Sequence, residues 1–143
     1  MNNTWKILAN RAKTATEEAQ SVVVTARARV TQLQASLDHI ETLRVDYISR
    51  YHATQKEMHM IADNLAYRQF LEHLGSLTER VTAQMETAQA ELERVKALWS
   101  EAYKQQLKME AMVERDATNK KNAAIKLEQK QTDQAGITQF NLR

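Results

Sequence analysis

The side chains that most often carry catalysis or bind metals are scarce in this chain of 143 residues. There is no cysteine, so thiolate chemistry, disulfides and most zinc sites are excluded. None of the histidines has another histidine four residues away, the spacing that places two metal ligands on one helical face. They are His39, His52, His59 and His73. We interpret them as surface residues and predict neither a metal site nor a cofactor site.

Other catalytic patterns are missing as well. Gly75 and Gly136 are isolated, so they cannot form a glycine-rich phosphate loop. No serine occupies the turn motif G-x-S-x-G of a nucleophile elbow. Carboxylates are abundant, but on one long, solvent-exposed helical rod no pair of them is desolvated. Without desolvation, the pKa values of two carboxylates are not driven apart as acid–base catalysis requires. The sequence therefore predicts a protein that is not an enzyme and has no catalytic residues.

The composition is that of long helices. The chain has two glycines and no proline, whereas average usage is about 7% Gly and about 5% Pro. The longest apolar run, residues 22–24, is far shorter than the roughly 20 residues that span a bilayer. Residues 1–8 contain no apolar segment of the kind found in secretory signals. We expect a soluble, cytoplasmic chain with one long seam and no compact core.

Apolar residues recur at spacings of three and four in both halves, which is typical of a coiled coil. In the first half the steps alternate between three and four residues, except that the step of four from Ala26 to Val30 directly follows another step of four. Such an interruption of the heptad pattern is called a stutter. The first seam comprises Trp5, Leu8, Ala12, Ala15, Ala19, Val22, Ala26, Val30, Leu33, Leu37 and Ile40. The second comprises Leu71, Leu74, Thr78, Val81, Met85, Ala88, Leu92, Val95, Trp99, Ala102, Gln106, Met109 and Val113.

The two seams are out of register with each other, and the pair Asp63-Asn64 lies near the break. Both residue types accept hydrogen bonds from free N–H groups at a helix start. We therefore predict an all-α fold, a long antiparallel two-helix coiled-coil hairpin with an overhanging C-terminal helical tail. The predicted ranges are 4–58 for helix one, 59–65 for the turn, 66–134 for helix two and 135–143 for the tail. The alternative is one uninterrupted helix that forms a parallel dimer.

Charge is distributed unevenly along the chain. Residues 1–29 carry a net charge of +3, residues 30–103 carry −4 and residues 104–143 carry +3. A hairpin would bring both basic ends together, which favours contact with an acidic ring or pore; the alternative is a role in solubility only. The basic residues are too sparse for a leucine-zipper DNA-binding region. Large apolar residues near the ends are too few for insertion at a membrane surface.

The apolar arc widens near the middle of the chain. A two-stranded seam uses about two positions in seven, yet residues 67–81 present apolar side chains over an arc of about 120°. Residues 40–51 are similar. The sequence favours an exposed apolar and aromatic patch that docks a partner. The alternative is a tip that broadens its own core.

Three segments resemble the second helix of the flagellar export protein FliJ family: Tyr67–Leu71, Trp99 and Met109–Asp116. Tyr47 and Tyr51 also fit that family. The resemblance implies a role in the bacterial type III flagellar export apparatus. Members resemble the central stalk of rotary ATPases: they bind a hexameric export ATPase, contact the cytoplasmic part of the membrane export gate and escort export chaperones. The implied location is the cytoplasm, peripherally associated with the inner membrane.

The resemblance also implies site residues. The gate-contacting face would include Tyr47, Tyr51, Phe70 and Leu74, continued by Leu77 and Val81. Arg44 stands where the family has an aliphatic residue. The ATPase contact would fall at the basic end, where charge and geometry select Arg11, Lys13, Arg27, Arg29, Lys120 and Lys121. The alternatives are an injectisome stalk protein, or a free-standing coiled-coil chaperone or scaffold without an ATPase partner.

Overall fold

The computed structural model describes residues 4–55 and 61–142, and the side chains of 4–53 and 63–142. It has two helices, α1 (Thr4–Gln55) and α2 (Ile61–Leu142). They pack against each other in antiparallel order, since Tyr47 contacts Phe70 while Tyr51 contacts Tyr67. The predicted all-α helical hairpin is confirmed, in place of one uninterrupted helix.

The helix bounds differ from the predicted ones. Helix α2 begins at Ile61 and includes Asp63, which lies in its first turn. A carboxylate there is stabilising near the positive end of the helix dipole, and the helix starts at residue 61, five residues before the predicted residue 66. Helix α2 also continues past residue 134 to Leu142, because Gly136 inside a helix costs only about 1 kcal/mol and no proline follows. The predicted turn and first helix also include residues 56–60, which lie outside the described residues.

The chain forms two compact units. The core unit is residues 19–98 and the terminal unit is residues 1–18 with 99–143. The core unit contains every buried apolar residue found in the described part of the chain. Its main cluster comprises Leu33, Ile40, Leu74, Val81, Met85 and Ala88, against which Val30, Leu37, Phe70 and Leu77 pack. Seven-residue steps such as Leu33–Ile40 and Leu74–Val81 are those of a heptad seam.

The terminal unit has a thinner interior. Its one buried residue among those described is Thr16, 6% exposed, whose hydroxyl donates a hydrogen bond to the carbonyl oxygen of Ala12 at 3.0 Å. Trp5, Met109 and Val113 are half-buried. Every described residue from position 117 onward is exposed. This stretch of α2 therefore overhangs α1, as the fold class predicted.

The seam of α1 differs from prediction. Ala15 is exposed and Val22 is 51% exposed, whereas Thr16 is buried and Val23 half-buried. The inward positions therefore follow unbroken steps of four and three through Ala26–Val30, and the predicted stutter is wrong. Thr16 can occupy a buried seam position because its hydroxyl donates a hydrogen bond to the preceding turn, so no polar group is left without a partner.

The seam of α2 agrees closely with prediction. Its predicted members from Leu71 to Val113 are buried or half-buried, apart from Thr78, which is exposed. Leu77, one position earlier, is half-buried instead. Thr78 directs its hydroxyl to the carbonyl oxygen of Leu74 at 2.9 Å. The seam of α2 was easier to predict because it contains large aliphatic residues, whereas α1 offers alanines at neighbouring positions.

Candidate interaction surfaces

Four aromatic rings form a continuous stack across the two helices of the core unit. Tyr51 stacks on Tyr67 with 3.6 Å between ring centroids and 9° between ring planes. Tyr67 also stacks on Tyr47 at 5.5 Å, and Tyr47 meets Phe70 at 4.1 Å with a tilt of 48°. We call these four residues the aromatic cluster. The rings alternate between helices, so each side of the stack holds the other in place.

The aromatic cluster is half-buried at all four positions. Tyr47 and Tyr51 are one turn apart on α1, and Tyr67 and Phe70 are one turn apart on α2, so each pair lies on one face of its helix. A half-buried aromatic surface whose rings already pack on one another suits contact with another protein, because it offers apolar area at little entropic cost.

Three of the predicted gate-contacting residues lie in this cluster, namely Tyr47, Tyr51 and Phe70. Leu74 and Val81 are only 3% and 8% exposed and belong to the core cluster. The prediction that Leu74 and Val81 belong to an exposed patch is therefore wrong, because their side chains are buried between the two helices. Leu77 is half-buried and packs against the same core.

Arg44 lies in the α1 seam register, four residues after Ile40, yet its side chain is 48% exposed. Its guanidinium forms two hydrogen bonds with Glu41, from Nε to Oε2 at 2.9 Å and from Nη2 to Oε1 at 2.7 Å. This hydrogen bonding holds the pKa of Glu41 below its ordinary value and raises the pKa of Arg44. Arg44 thus occupies a seam position by turning its charged end out to solvent.

The predicted ATPase-binding residues are divided between the two units. Four of them, Arg11, Lys13, Lys120 and Lys121, belong to the terminal unit and are exposed. The Nζ of Lys120 lies 3.4 Å from Oδ2 of Asp116. The terminal unit has eleven basic and eight acidic residues, a net charge of +3, whereas the core unit has nine basic and ten acidic residues.

Arg27 and Arg29 belong to the core unit and are exposed. Arg27 follows the seam residue Ala26, whereas Arg29 precedes the seam residue Val30. At about 100° per residue the two arginines therefore point to opposite sides of the seam. The structure does not bring these two residues together with each other or include them in the terminal unit.

A shallow groove of about 280 Å³ lies in the terminal unit beside the ring of Trp5. Its walls include Val113 and Ala117 as well as the ion pair between Asp116 and Lys120. Both helices contribute to this groove. It joins an apolar floor to charged groups of both signs, and so it adds an aromatic contact to the basic residues of this unit.

Sequence reasoning missed two aromatic features. Tyr67 was not assigned to the site, although its spacing of three from Phe70 places both on one helical face. Trp99 stacks on Tyr103, with centroids 5.4 Å apart and planes 6° apart. The indole Nε1 of Trp99 is buried and has no hydrogen-bond partner in the protein. The spacing of four between Trp99 and Tyr103 was the available signal for their contact.

Among the described residues, no group of histidine, aspartate or glutamate side chains is arranged to hold a metal ion. Neither described helix has a stretch long and apolar enough to cross a membrane.

The architecture and surfaces define a class, the all-α two-helix coiled-coil hairpins. Within this class the chain belongs to the family described as flagellar FliJ protein, whose family model matches residues 5–143. This match confirms the resemblance seen in the aromatic and C-terminal segments. The chain is a component of flagellar type III export, and its family is a structural export component, not a family of enzymes. No curated protein and no solved structure matched the chain.

Proposed function

We propose that this chain is a non-enzymatic connector of the flagellar export apparatus, with one surface for the hexameric export ATPase and another for the membrane export gate. The observation that carries this proposal is chemical: the two compact units present different surfaces. The terminal unit has an excess of basic residues, and the core unit displays the aromatic cluster. Two different surfaces suit two different partners.

The ATPase-binding surface of this proposal is the terminal unit. Arg11, Lys13, Lys120 and Lys121 are exposed there, and exposed charges of one sign steer association with an acidic surface. Trp5 would add apolar contact beside them. Arg27 and Arg29, the other two predicted residues, lie in the core unit and need a separate test.

The gate-binding surface of this proposal is the aromatic cluster. The parts of Tyr47, Tyr51 and Phe70 that remain exposed would contact the cytoplasmic part of the gate, with Leu77 beside them. Leu74 and Val81 would support this surface from the core. Aromatic anchors that are already fixed lose little freedom on binding, which favours affinity.

The remaining parts of the proposal rest on the family. They are the escort of export chaperones and a cytoplasmic location that becomes peripheral to the inner membrane through the export apparatus. A chaperone or scaffold that acts without an ATPase would share the same hairpin fold. The ATPase-binding connector and the free-standing scaffold differ in one prediction: only the connector changes the rate of ATP hydrolysis by the export ATPase.

The ATPase contact is tested with purified export ATPase from the same bacterium. We expect the full chain to change the hydrolysis rate at about one copy per hexamer. The variant Arg11→Glu/Lys13→Glu/Lys121→Glu should abolish the change, while Arg27→Glu/Arg29→Glu should retain most of it. No effect of the unaltered chain on hydrolysis would contradict the ATPase role and favour a free-standing scaffold.

The gate contact is tested by titrating the purified cytoplasmic part of the gate with the full chain. We expect Tyr47→Ala to weaken binding by about tenfold, since a buried aromatic anchor typically carries more than 1 kcal/mol. Leu65→Ala is the matched control, because Leu65 is 57% exposed and lies outside the cluster. Circular dichroism of each variant checks that helix content is retained. Unchanged affinity of Tyr47→Ala would contradict the gate role of the cluster.

A further inference from the structure

A second groove lies in the core unit, apart from the aromatic cluster. It has a volume of about 510 Å³ and is lined by residues of both helices. Its lining includes the small side chains of Ala83, Thr87 and Ala88, together with Gln84 and Glu91. Arg29 from α1 and Arg80 from α2 also line it, and we call these two the rim arginines. Small side chains there leave room for another backbone to approach closely.

The two rim arginines have no carboxylate partner in the described part of the protein. Arg29 donates a hydrogen bond from Nη1 to the amide oxygen of Gln32 at 3.2 Å. Arg80 is exposed. By contrast, Glu91 at the end of the groove is held by Arg94 through bonds of 2.9 Å and 2.6 Å. The negative charge of the groove is thus paired internally, and its positive charges are free to pair with a ligand.

The spacing of the two arginines follows from the helix register. The facing pairs Tyr47–Phe70 and Tyr51–Tyr67 fix the antiparallel alignment, and this alignment places Arg29 level with Ala88. Arg80 lies eight residues from Ala88, about 12 Å along the axis. Carboxylates seven or eight residues apart on a partner helix would match this distance.

We propose that the groove is a docking site for an amphipathic helix of another protein that carries two carboxylates about two turns apart. The partner helix lies along Ala83 and Thr87 with its apolar face, and its carboxylates pair with Arg29 and Arg80. An arginine and a carboxylate can form two parallel hydrogen bonds, and a pair of that geometry fixes the register of the bound helix as well as adding affinity. This site goes beyond the two surfaces of the proposed function and uses Arg29 for a different contact.

The test uses the full chain labelled with ¹⁵N and a synthetic alanine-rich helical peptide. One face of the peptide carries leucines flanked by two glutamates seven residues apart. We expect saturable shifts of the backbone amide signals of Ala83 and Thr87. Arg29→Glu/Arg80→Glu should weaken binding about tenfold, the sum of two exposed ion pairs and the repulsion that replaces them. A peptide with lysines in place of glutamates should bind this variant more tightly than it binds the unaltered chain.

The matched control is Arg27→Glu/Arg68→Glu, which changes the net charge equally. Arg27 and Arg68 each follow an inward residue, whereas Arg29 and Arg80 each precede one, so the control pair lies on the opposite side of the seam. We expect the control to bind the acidic peptide within about twofold of the unaltered chain. Equal losses in both variants would show unspecific charge attraction and overturn the proposal, as would the absence of saturable shifts. Neither result depends on the export ATPase or the gate, so their tests stand separately.

Discussion

Tyr51 of α1 and Tyr67 of α2 lie face to face, with ring centroids 3.6 Å apart and planes only 9° from parallel. Each ring is also close to another aromatic group, since Tyr67 stacks on Tyr47 and Tyr51 meets His52 at 6.2 Å. This contact links the two helices by half-buried side chains. A surface offered to a partner is here also part of what holds the hairpin closed, so effects on stability and on binding must be measured separately.

The contact between Tyr51 and Tyr67 should appear as a coupling free energy. We expect each single change to alanine to destabilise the hairpin, and the double-mutant cycle to give a coupling of about 1 kcal/mol, the usual value for an aromatic pair. Urea unfolding monitored by circular dichroism gives the free energy of unfolding of the original chain, the two single variants and the double variant. Strictly additive effects would show that the two rings do not stabilise each other.

Leu74 should behave as a core residue. Because it is 3% exposed within the main cluster, Leu74→Ala should lower the free energy of unfolding by about 3 kcal/mol. Leu65→Ala, at a leucine 57% exposed on the same helix, should change it by less than about 0.5 kcal/mol. Urea unfolding compares the two, and similar losses would mean that Leu74 does not pack in the seam.

Trp99 should tolerate loss of its indole nitrogen. Its Nε1 is buried without a hydrogen-bond partner in the protein, and such a group costs about 1–3 kcal/mol. Trp99→Phe removes that cost while losing some apolar area, so stability should stay within about 1 kcal/mol of the original. Trp99→Ala should lose about 3 kcal/mol. If phenylalanine were as damaging as alanine in thermal unfolding, the indole N–H would be making a stabilising contact.

Gly75 is a site where stability can be gained. It lies inside α2 with helical backbone geometry, and a Cβ placed on it meets no neighbouring heavy atom within 4 Å. Gly75→Ala should therefore stabilise the hairpin by about 1 kcal/mol, as expected for alanine against glycine in a helix. Gly136→Ala is the control: it has equal space but lies in the overhang, so it should leave the unfolding midpoint of the hairpin unchanged. A stabilisation by Gly136→Ala equal to that of Gly75→Ala would contradict this distinction.

Two glutamates should titrate below the ordinary pKa of a glutamate side chain. Hydrogen bonds from Arg44 and Arg94 lower the pKa values of Glu41 and Glu91 in the folded chain. Their stabilising contribution is therefore complete above the ordinary carboxylate pKa and is lost as the pH falls through the lowered values. Carbon-detected NMR titration measures both groups. Arg44→Gln should return the pKa of Glu41 towards its ordinary value and leave that of Glu91 low; a change in both would point to a general charge effect.

Much of this protein is determined by local sequence. The scarcity of glycine and proline, and the regular return of apolar residues at three and four positions, are sufficient to predict two long helices packed antiparallel. The α2 seam from Leu71 to Val113 was predicted almost residue by residue, because its large aliphatic side chains leave a single inward face. The aromatic and C-terminal segments were also sufficient to indicate the family, which the match over residues 5–143 confirms.

The tertiary structure decided which of several neighbouring residues faces the partner helix. Thr16 and Val23 turn inward where sequence favoured Ala15 and Val22, since alanine and valine neighbours give no local preference for one face. Leu74 and Val81 are core residues, not an exposed patch, and Tyr67 joins both helices at the centre of the aromatic cluster. Exposure is a property of the pair of helices, because the surface a side chain loses to solvent depends on what the opposite helix places against it. Periodicity therefore determined the helices and their pairing, and packing determined the surfaces that remain free.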